Sequence, residues 1–387
     1  MVQAEVRVHL DAIRQNVARL GAGTTAEVMA VVKADGYGHG MVPAARAALA
    51  GGASWLGVCT LGEALDLRAA GVGAPILAWL LAPGQPLDAA VAADIDLSAS
   101  SLGGLAEIVT AARTAGRTAR VHLKIDTGLT RAGATDREWP DLVEAAAKVQ
   151  ADGVVDVVGV WSHFAHADAP EHQTTDRQLV EFRQAIEVAQ RAGLTPRLKH
   201  IANSAATLTR PDAHFDLVRP GVAIYGLSPL AGRAAEFGLR PAMSVRAAVL
   251  VAKRVRAGRG VSYGHTYTTG KETTVAVVPL GYADGVPRAA SNQGPVMIGG
   301  RTRRIAGRVC MDQFVVDCDD DAVVAGDVVT LIGEGGPTAD DWATACDTIN
   351  YEIVTRMGST RVPRVYDGAG GPAGAGAGLG LGVGESA

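Results

Sequence analysis

The sequence predicts an α/β protein, with an N-terminal (β/α)8 barrel of the TIM type and a second, mainly β C-terminal domain. Three observations predict it. Short apolar, β-rich runs alternate with helical patterns over residues 1–225. Eight such runs occur there, as a barrel of this type requires. After about residue 232 the pattern changes to strands separated by turns, with few helices before residue 338.

The predicted barrel strands are short apolar runs, many of them rich in β-branched residues. The first reads EVMAVVK and has no polar residue between its ends, which is typical of a parallel strand buried on both faces. The eight runs are residues 27–33, 55–59, 75–80, 95–98, 119–126, 156–161, 198–201 and 215–219.

Helical patterns lie between these strands. Residues 11–20 carry apolar side chains at positions 13, 17 and 20, behind Asp11, which can cap the helix. Residues 60–70 and 179–192 each end before a glycine, as helices often do. A doubly wound open sheet is the rival fold. It would favour a GxGxxG fingerprint after the first strand, and KADGYGHG lacks that spacing.

The second domain is predicted to be β-rich, with two helices near its end. The segment 2–8 is also strand-like, and we expect it to pair with this domain. The resulting division is a barrel over 9–231, a β-rich domain over 232–367 together with 2–8, and a flexible Gly/Ala-rich tail over 368–387. The predicted strands are residues 245–255, 274–280, 295–298, 302–309, 313–317 and 327–332, and the helices are 338–346 and 349–357.

Composition excludes several classes of protein. Lys plus Arg is 36 and Asp plus Glu is 40, so the basic excess of a nucleic-acid binder is missing. No apolar run reaches the roughly 18–20 residues that span a bilayer, and the opening residues do not resemble a signal peptide. The four cysteines form no CxxC pair, which fits reduced thiols. We therefore expect a cytoplasmic protein without a membrane or nucleic-acid partner.

Unusual polar residues follow the carboxyl ends of the predicted barrel strands, where barrel enzymes place their chemistry. Because these ends share one rim, the pattern predicts a single site there. The residues at or just beyond these ends are Lys33 and Tyr37 for strand one, Lys124 and Arg131 for strand five, His163 for strand six, His200, Asn203 and Ser204 for strand seven, and Arg219 and Gly221 for strand eight.

Lys33 ends a buried strand, where a lysine is costly unless it is paired or chemically used, and its amine can form a Schiff base. Asn203, Ser204 and Gly221 follow strands seven and eight, where barrels often bind phosphate. A lysine that can react with an aldehyde, close to residues that can bind a phosphate, suggests the cofactor pyridoxal 5'-phosphate, PLP. Taken singly, these residues also fit a lysine extending to solvent and an ordinary helix cap. The HFAH segment at His163 offers metal-ligand types, but we predict no metal.

Eight motifs follow one another along the chain. In the barrel they are AVVKADGYGHG, KIDTGLTRAG, SHFAHAD, HIANSAA and RPGVAIYG. In the second domain they are VSYGHTY, PLGYADG and GRVCMDQ. In this order they resemble the motifs of the alanine racemase family, PLP-dependent enzymes of fold type III, and the resemblance covers residues 4–366.

The resemblance implies a role for each matching position around the cofactor. Lys33 would hold PLP covalently, and Arg219 would face the pyridine nitrogen with His200 behind it. His163 would pack against the cofactor ring. Arg131 would bind the cofactor's phenolic oxygen and the substrate carboxylate, and in the family a lysine at the position of Lys124 is often carbamylated and holds that arginine. The residues implied around the phosphate are Tyr37, Asn203, Ser204, Gly221 and Val222.

The resemblance also implies a homodimer whose active sites are shared between subunits. Tyr263 would come from the partner and act as the second catalytic base beside Lys33. A phenol that acts as a base near neutrality needs cationic neighbours, for which His163 and Arg219 are the candidates. The remaining implied residues of the site are Met311 and Asp312 for the substrate and Tyr282 in the access channel.

The predicted function is PLP-dependent interconversion of L- and D-alanine by two bases, supplying D-alanine for bacterial peptidoglycan. Thr360 stands where the family often has a tyrosine before RVPR, which leaves substrate breadth open. The alternatives are a racemase of broader specificity, for example on serine, another fold-type III PLP enzyme, or a non-catalytic PLP carrier. Such a carrier is a lone barrel, so the second domain counts against it.

Overall fold

The computed structural model describes residues 3–230 and 232–368, which divide between two compact units. The barrel unit comprises Ile13–Gly36 and Ala44–Arg240. The β unit comprises Met1–Ala12, Tyr37–Pro43 and Pro241–Ala387. The units therefore meet along the chain at 240/241 rather than at 231/232, and the short segment at 37–43 groups with the β unit. Apart from Gly368, the predicted tail lies outside the described residues.

The barrel unit is a ring of eight parallel strands, as predicted. Its ladder runs β8-β7-β6-β5-β4-β3-β2-β9. Hydrogen bonds from the Asp216 N–H to the Lys199 carbonyl (3.1 Å) and from the Arg219 N–H to the Ala202 carbonyl (2.9 Å) join the two end strands. In chain order the first strand, β1 (Ala4–His9), belongs to the β unit. The barrel strands are β2 (Glu27–Val31), β3 (Trp55–Val58), β4 (Ile76–Ala78), β5 (Asp96–Ala99), β6 (Ala119–Lys124), β7 (Val155–Trp161), β8 (Leu198–His200) and β9 (Leu217–Val218).

Helices follow these strands, and local sequence sets their ends. Thr60 and Glu63 form a capping box at the start of one helix. Ser101 caps another, which ends at Gly116 in the left-handed conformation. The helices near the barrel span Leu10–Ala22, Met41–Ala50, Leu61–Ala69, Leu87–Ala92, Leu102–Ala115, Trp139–Ala151, Gln173–Arg191 and Ser204–Thr209.

The barrel interior combines an apolar cluster with buried polar groups. Met29, Trp55 and Leu77 belong to the apolar cluster, with Trp79 packed against it. Buried polar groups are costly unless they are hydrogen-bonded, so their number inside one barrel indicates a specific use. The buried polar residues of strands β5 to β8 and of the end of β9 are Asp96, Ser98, His122, Lys124, His200 and Arg219.

The β unit contains a six-stranded sheet ordered β16-β15-β18-β10-β1-β19, a three-stranded sheet ordered β11-β14-β17 and the β12–β13 pair. The N-terminal strand β1 pairs antiparallel with β10 and parallel with β19. The strands are β10 (Met243–Ala248), β11 (Val251–Val255), β12 (Gly260–Val261), β13 (Tyr267–Thr268), β14 (Thr273–Val278), β15 (Pro295–Ile298), β16 (Arg301–Arg304), β17 (Phe314–Asp317), β18 (Val328–Ile332) and β19 (Arg364–Asp367).

Two predicted strands of the β unit differ from the structure. The run 245–255 is two strands, because Val249 bonds to Asp327 while Leu250 bonds to Val277, and these partners lie in different sheets. The run predicted over 302–309 ends at Arg304. The short strands β12, β13 and β19 were not predicted. The two predicted helices are present, as Ala339–Cys346 and Asn350–Arg356.

No helix within residues 3–230 and 232–368 has both the length and the apolar character needed to cross a membrane.

Trp342 anchors the first of these two helices, and its truncation tests the packing. The side chain is fully buried, and its indole N–H donates to the Leu331 carbonyl at 2.7 Å. We expect Trp342→Ala to lower the free energy of unfolding by about 3–5 kcal/mol in urea titrations, because it leaves a cavity and an unpaired carbonyl. Ile349→Ala, at a position 60% exposed, should change it by no more than about 0.5 kcal/mol. A similar small effect of both changes would contradict the packing described.

Candidate active site

Lys33 lies just beyond β2, at the start of an unusual left-handed turn. Residues Ala34 to Tyr37 all have positive φ, between 52° and 62°. For residues other than glycine this conformation costs roughly 1–2 kcal/mol each, so the surrounding structure must hold it. Strain of this kind is typical of functional sites.

Glu63 holds this turn to the neighbouring strand. One of its carboxylate oxygens accepts from the Ala34 N–H at 2.7 Å. The other accepts from the N–H groups of Cys59 and Thr60 at 2.9 and 3.0 Å, at the end of β3. The carboxylate thus fixes the backbone beside Lys33. Sequence analysis missed this residue, although the capping box beginning at Thr60 was a signal for it.

Four cations lie near one another at the carboxyl ends of the strands: Lys33, Lys124, Arg131 and Arg219. Within the described parts of the chain none of them forms an ion pair. Lys124 lies over Trp161, with Nζ 4.2 Å from the ring centroid, and the Arg219 guanidinium carbon is 4.8 Å from the same centroid. Uncompensated charges of one sign are costly in a partly buried site. This rim is therefore suited to anionic groups.

The loop that carries Arg131 is shaped by a carboxylate. Oδ1 of Asp126 accepts from the N–H groups of Gly128, Leu129 and Thr130 at 2.9 to 3.1 Å. This local turn places Arg131 beyond the end of β6, with its side chain exposed.

Burial and mutual repulsion shift the pKa values of this cluster. Burial, followed by the charges of Arg219 and Arg131, lowers the pKa of Lys124 to about 8. Burial lowers the pKa of Arg219 to about 9. Burial and the cations around it, Arg219 first, lower the pKa of His163 well below its usual value, so this ring is neutral at pH 7. The expectation that His163 supplies positive charge is wrong, because it lies among like charges.

Arg219 is buried and held by neutral groups. One guanidinium nitrogen donates to His200 Nδ1 at 3.1 Å. The other donates to the Ser162 carbonyl at 2.8 Å and to His163 Nδ1 at 3.2 Å. Among the described residues, no acceptor meets the Nε–H. The structure thus brings together the three predicted residues Arg219, His200 and His163.

Ser204 and Gly221 lie side by side, as their places after β8 and β9 predict. Ser204 Oγ accepts from the N–H groups of Gly221 at 2.8 Å and Ala223 at 3.3 Å. The Gly221 N–H therefore bonds to this hydroxyl here, rather than being open to a phosphate. The Ser204 hydroxyl keeps its own hydrogen to donate. Asn203 caps the helix that follows, accepting from the Ala206 N–H at 3.1 Å, and Val222 is buried.

The other candidate residues belong to the β unit, on three loops that hydrogen bonds connect. Among them Tyr263 is 72% exposed and Met311 53% exposed. Tyr282 is also exposed, and its N–H donates to the Cys310 carbonyl at 3.1 Å. Only glycine fits at Gly281, since a Cβ there would overlap the backbone of residues 310 and 311.

A buried carboxylate that the sequence analysis missed holds these loops. Asp284 is 2% exposed, and it accepts from Ser359 and from Arg361, both at 2.7 Å. Arg361 also pairs with Asp312 at 2.8 Å. Thr360, which stands in the place of the family's tyrosine, is exposed beside this arginine. The RVPR motif does not reveal from sequence alone that Arg361 pairs with Asp284 and Asp312.

Tyr37 is buried within the β unit, and its ring lies 6.3 Å from that of Tyr351. Tyr37 therefore belongs to the β unit, whereas the other residues implied around a phosphate belong to the barrel unit. No cluster of three or more His, Cys, Asp or Glu within the described ranges could hold a metal ion.

Two family models match the chain, for the N-terminal domain of alanine racemase over residues 8–229 and for its C-terminal domain over residues 242–366. The chain belongs to the alanine racemase family. Both matches agree with the barrel and the β-rich domain described above.

Individual alanine racemases resemble the chain over nearly its whole length. The alanine racemase of Salinispora arenicola is 69% identical, covering 95% of this chain and 99% of that protein. The crystal structure of alanine racemase from D-cycloserine-producing Streptomyces lavendulae is 52% identical, with a TM-score of 0.93, and covers 95% of this chain and 98% of that one. The alanine racemase of Bartonella henselae, solved with covalently bound pyridoxal phosphate, is 28% identical, with a TM-score of 0.86, and covers 95% and 100%.

The buried Lys124 of this alanine racemase family member gives a pH-dependent prediction. Its folded pKa of about 8 lies below the unfolded value of roughly 10.4, so the unfolded state binds more protons between these values and stability rises with pH there. Below pH 8 the buried charge destabilises the folded state fully. We expect Lys124→Met to be more stable than the wild type at pH 7, by about 3 kcal/mol at most, and this advantage to shrink as pH rises to 10.

The measurement is urea denaturation in bicarbonate-free buffer at pH 7 to 10. Lys148→Met, which replaces an exposed lysine, is the control and should show a constant difference from the wild type. A stability difference for Lys124→Met that does not change with pH would contradict the low pKa.

Proposed function

We propose that this protein catalyses the PLP-dependent interconversion of L- and D-alanine. The observation that carries the proposal is the cluster of Lys33, Lys124, Arg131 and Arg219, none of them in an ion pair with a described residue, at the carboxyl end of one barrel. Membership of the alanine racemase family, and relatives that bear that name, support the reaction.

The side chains at this rim fit PLP. The cofactor carries a phosphate and a phenolic oxygen, and an amino-acid substrate adds a carboxylate, so an unbalanced set of cations is the complement they require. The Ser204 hydroxyl, which accepts from two N–H groups, can donate its hydrogen to a phosphate oxygen. The Nε–H of Arg219, which meets no acceptor among the described residues, suits a neutral nitrogen acceptor.

When bound, PLP withdraws electrons from the substrate's α-carbon and makes its proton acidic. Lys33 would hold the cofactor covalently through its amine. Arg219 can only donate hydrogen bonds, so beside the pyridine nitrogen it would favour the unprotonated form of that nitrogen. We assign to the phosphate the residues implied by family resemblance, which are Tyr37, Asn203, Ser204, Gly221 and Val222. The Gly221 N–H would exchange its bond to Ser204 for one to a phosphate oxygen. His163 would pack against the cofactor ring.

Two bases on opposite faces are the simplest way to invert a chiral centre. We assign proton transfer with D-alanine to Lys33 and with L-alanine to Tyr263. Arg131 would bind the substrate carboxylate, because it is a guanidinium without an ion-pair partner among the described residues. Met311 and Asp312 would complete the substrate site, and Tyr282 the channel to it.

Tyr263, Met311 and Asp312 would serve the active site of a second subunit. The exposure of these side chains supports a homodimer. An isologous interface builds two equal sites at once.

Lys124 is proposed to carry a carbamate. Because its pKa is about 8, an appreciable fraction of the amine is neutral at pH 7. The nitrogen lone pair would attack CO2, forming a C–N bond and releasing a proton, so that a cation becomes an anion. This change would offset the surrounding positive charge and give Arg131 an acceptor. We further propose that the protein works in the cytoplasm and supplies D-alanine for peptidoglycan.

Borohydride treatment of the purified protein should attach PLP to Lys33. We expect peptide mapping to find the adduct on this lysine, and D-alanine to form from L-alanine more rapidly than D-products form from other L-amino acids, serine included. Lys33→Ala should show no adduct and almost no activity, since both need the amine. An adduct on another lysine would show that Lys33 does not hold PLP. Faster racemisation of serine than of alanine would show that alanine is not the preferred substrate.

Mixed dimers test whether the active sites are shared. Lys33→Ala and Tyr263→Phe should each be inactive alone. After subunit exchange a hybrid dimer carries both lesions in one site and none in the other, so a statistical mixture should recover about a quarter of wild-type activity. Mixing two preparations of Lys33→Ala is the control. Verified exchange without recovery would mean that each site is built within one chain.

Single-turnover loss of α-deuterium separates the two bases. Tyr263→Phe should slow loss from L-alanine by about 100-fold or more, because a general base is removed, and should affect loss from D-alanine far less. Tyr267→Phe, a neighbouring tyrosine bonded to Asp317, serves as the control and should leave the ratio unchanged. Equal slowing with both enantiomers would show that Tyr263 has no face-specific role.

A further inference from the structure

A row of four hydrogen-bonded side chains crosses the barrel interior and ends at Arg219. Asp96 is the first residue of β5, and its Oδ2 lies 3.1 Å from His122 Nε2 on β6. His122 Nδ1 lies 2.9 Å from His200 Nε2 on β8. His200 Nδ1 meets the Arg219 guanidinium at 3.1 Å. All four are buried, and Asp96, His122 and His200 are 0% exposed.

The chemistry of the two ends assigns every hydrogen in this row. A guanidinium only donates and an ionised carboxylate only accepts. His200 must therefore accept at Nδ1 and carry its hydrogen on Nε2, which it donates to His122 Nδ1. His122 in turn carries its hydrogen on Nε2 and donates it to Asp96. A charged His122 would donate at both nitrogens and would force a second donor against Arg219, so both rings are neutral.

Neighbouring side chains and backbone fix the position of each imidazole ring. His200 stacks on Trp161 with an interplanar angle of 9°, and His122 meets the edge of Trp55. A bulge in the pairing of β6 with β7 begins at His122, and a Cβ at Gly159 would overlap its ring. The sequence thus makes room for an imidazole inside the barrel.

Asp96 is kept ionised at the far end of the row. Arg120 donates to its two oxygens at 2.7 and 3.1 Å. Burial alone would raise the pKa of Asp96, but the hydrogen bonds from His122 and Arg120 hold it below its usual value. Burial and the charge of Arg219 lower the pKa of His200 well below its usual value, which agrees with a neutral ring.

We propose that Asp96 and His122 are positioning residues, which fix the tautomer of His200 and so orient Arg219 toward the pyridine nitrogen of PLP. The orientation toward PLP rests on the proposed function, whereas the order of hydrogens in the row does not. Neither residue touches the cofactor in this proposal. They act through His200, by giving the guanidinium an acceptor.

Asp96→Asn should reverse the direction of the hydrogen bonds along the row, because an amide of nearly the same size replaces the carboxylate. Arg120 would attract the amide oxygen, which leaves the amide NH2 facing His122 Nε2. His122 must then accept at Nε2 and donate from Nδ1, and His200 must accept at Nε2 and carry its hydrogen on Nδ1. That hydrogen would point at the Arg219 guanidinium, so two donors would face each other in a buried site.

The experiment is NMR of the full-length protein with histidine labelled by 15N in the ring. His122 and His200 are assigned by the loss of their signals on substitution with asparagine. We expect both rings to be neutral Nε2–H tautomers in the wild type, and Nδ1–H tautomers in Asp96→Asn. Asp94→Asn makes the same change at an exposed aspartate paired with Arg117, and should leave both unchanged.

A double variant tests the cause of the reversal. In Asp96→Asn with Arg120→Gln, the glutamine can accept from the asparagine NH2, which frees the asparagine oxygen to accept from His122. The Nε2–H tautomers should then return. A purely structural role for Asp96 predicts no such rescue. If Asp96→Asn does not fold, the wild-type spectrum still decides, since an Nδ1–H tautomer or a charged ring at either position overturns the proposal.

PLP affinity tests the consequence for Arg219. We expect Asp96→Asn to weaken PLP binding about tenfold and to shift the absorption band of the bound cofactor, because a buried guanidinium loses an acceptor. The double variant should recover both. Reversed tautomers with unchanged affinity and spectrum would overturn the link to the cofactor. A wild type that binds no PLP would instead refute the proposed function, and the NMR spectra would still decide the order of the row.

Discussion

The buried guanidinium of Arg219 is the constraint on which the rest of the site depends. It lies inside the barrel, where no carboxylate of residues 3–230 and 232–368 forms an ion pair with it, and neutral acceptors from three segments hold it. A buried charge of this kind is costly, and these hydrogen bonds offset part of the cost. Burial, and after it the charge of Arg219, lowers the pKa values of His163, His200 and Lys124. The position of one arginine thus adds to the effect of burial on three neighbouring groups.

The barrel could be predicted from the sequence because each strand is a local apolar run. Lys33, Ser204 and Arg219 could be named as candidates because barrel chemistry collects at strand ends, and the structure places them at those ends. Asp96 and His122 could not, because inside a barrel they sit at strand positions whose sequence pattern looks like any other polar interruption. Only the pairing of β5, β6 and β8 shows that they meet.

The β unit was harder to predict, for physical reasons. Its strands are short and pair across long separations, so β1 lies between strands from residues 243 and 364 onward. Arg361, Asp284 and Asp312 come together only through this folding. The neutrality of His163 was missed because a histidine motif carries no information about the charges around it, and the desolvation and repulsion that decide it depend on three-dimensional neighbours.

The left-handed turn after β2 restricts the range of motion of Lys33. Because Glu63 ties the backbone to β3, the lysine pivots about a fixed Cα, and only its four methylene groups can move the amine. With its Cα fixed, the amine can reach only a limited area, on one side of any flat molecule that lies at the rim. Chemistry on the opposite side of such a molecule would need a group from another part of the fold, because an amine with a fixed Cα stays on its own side.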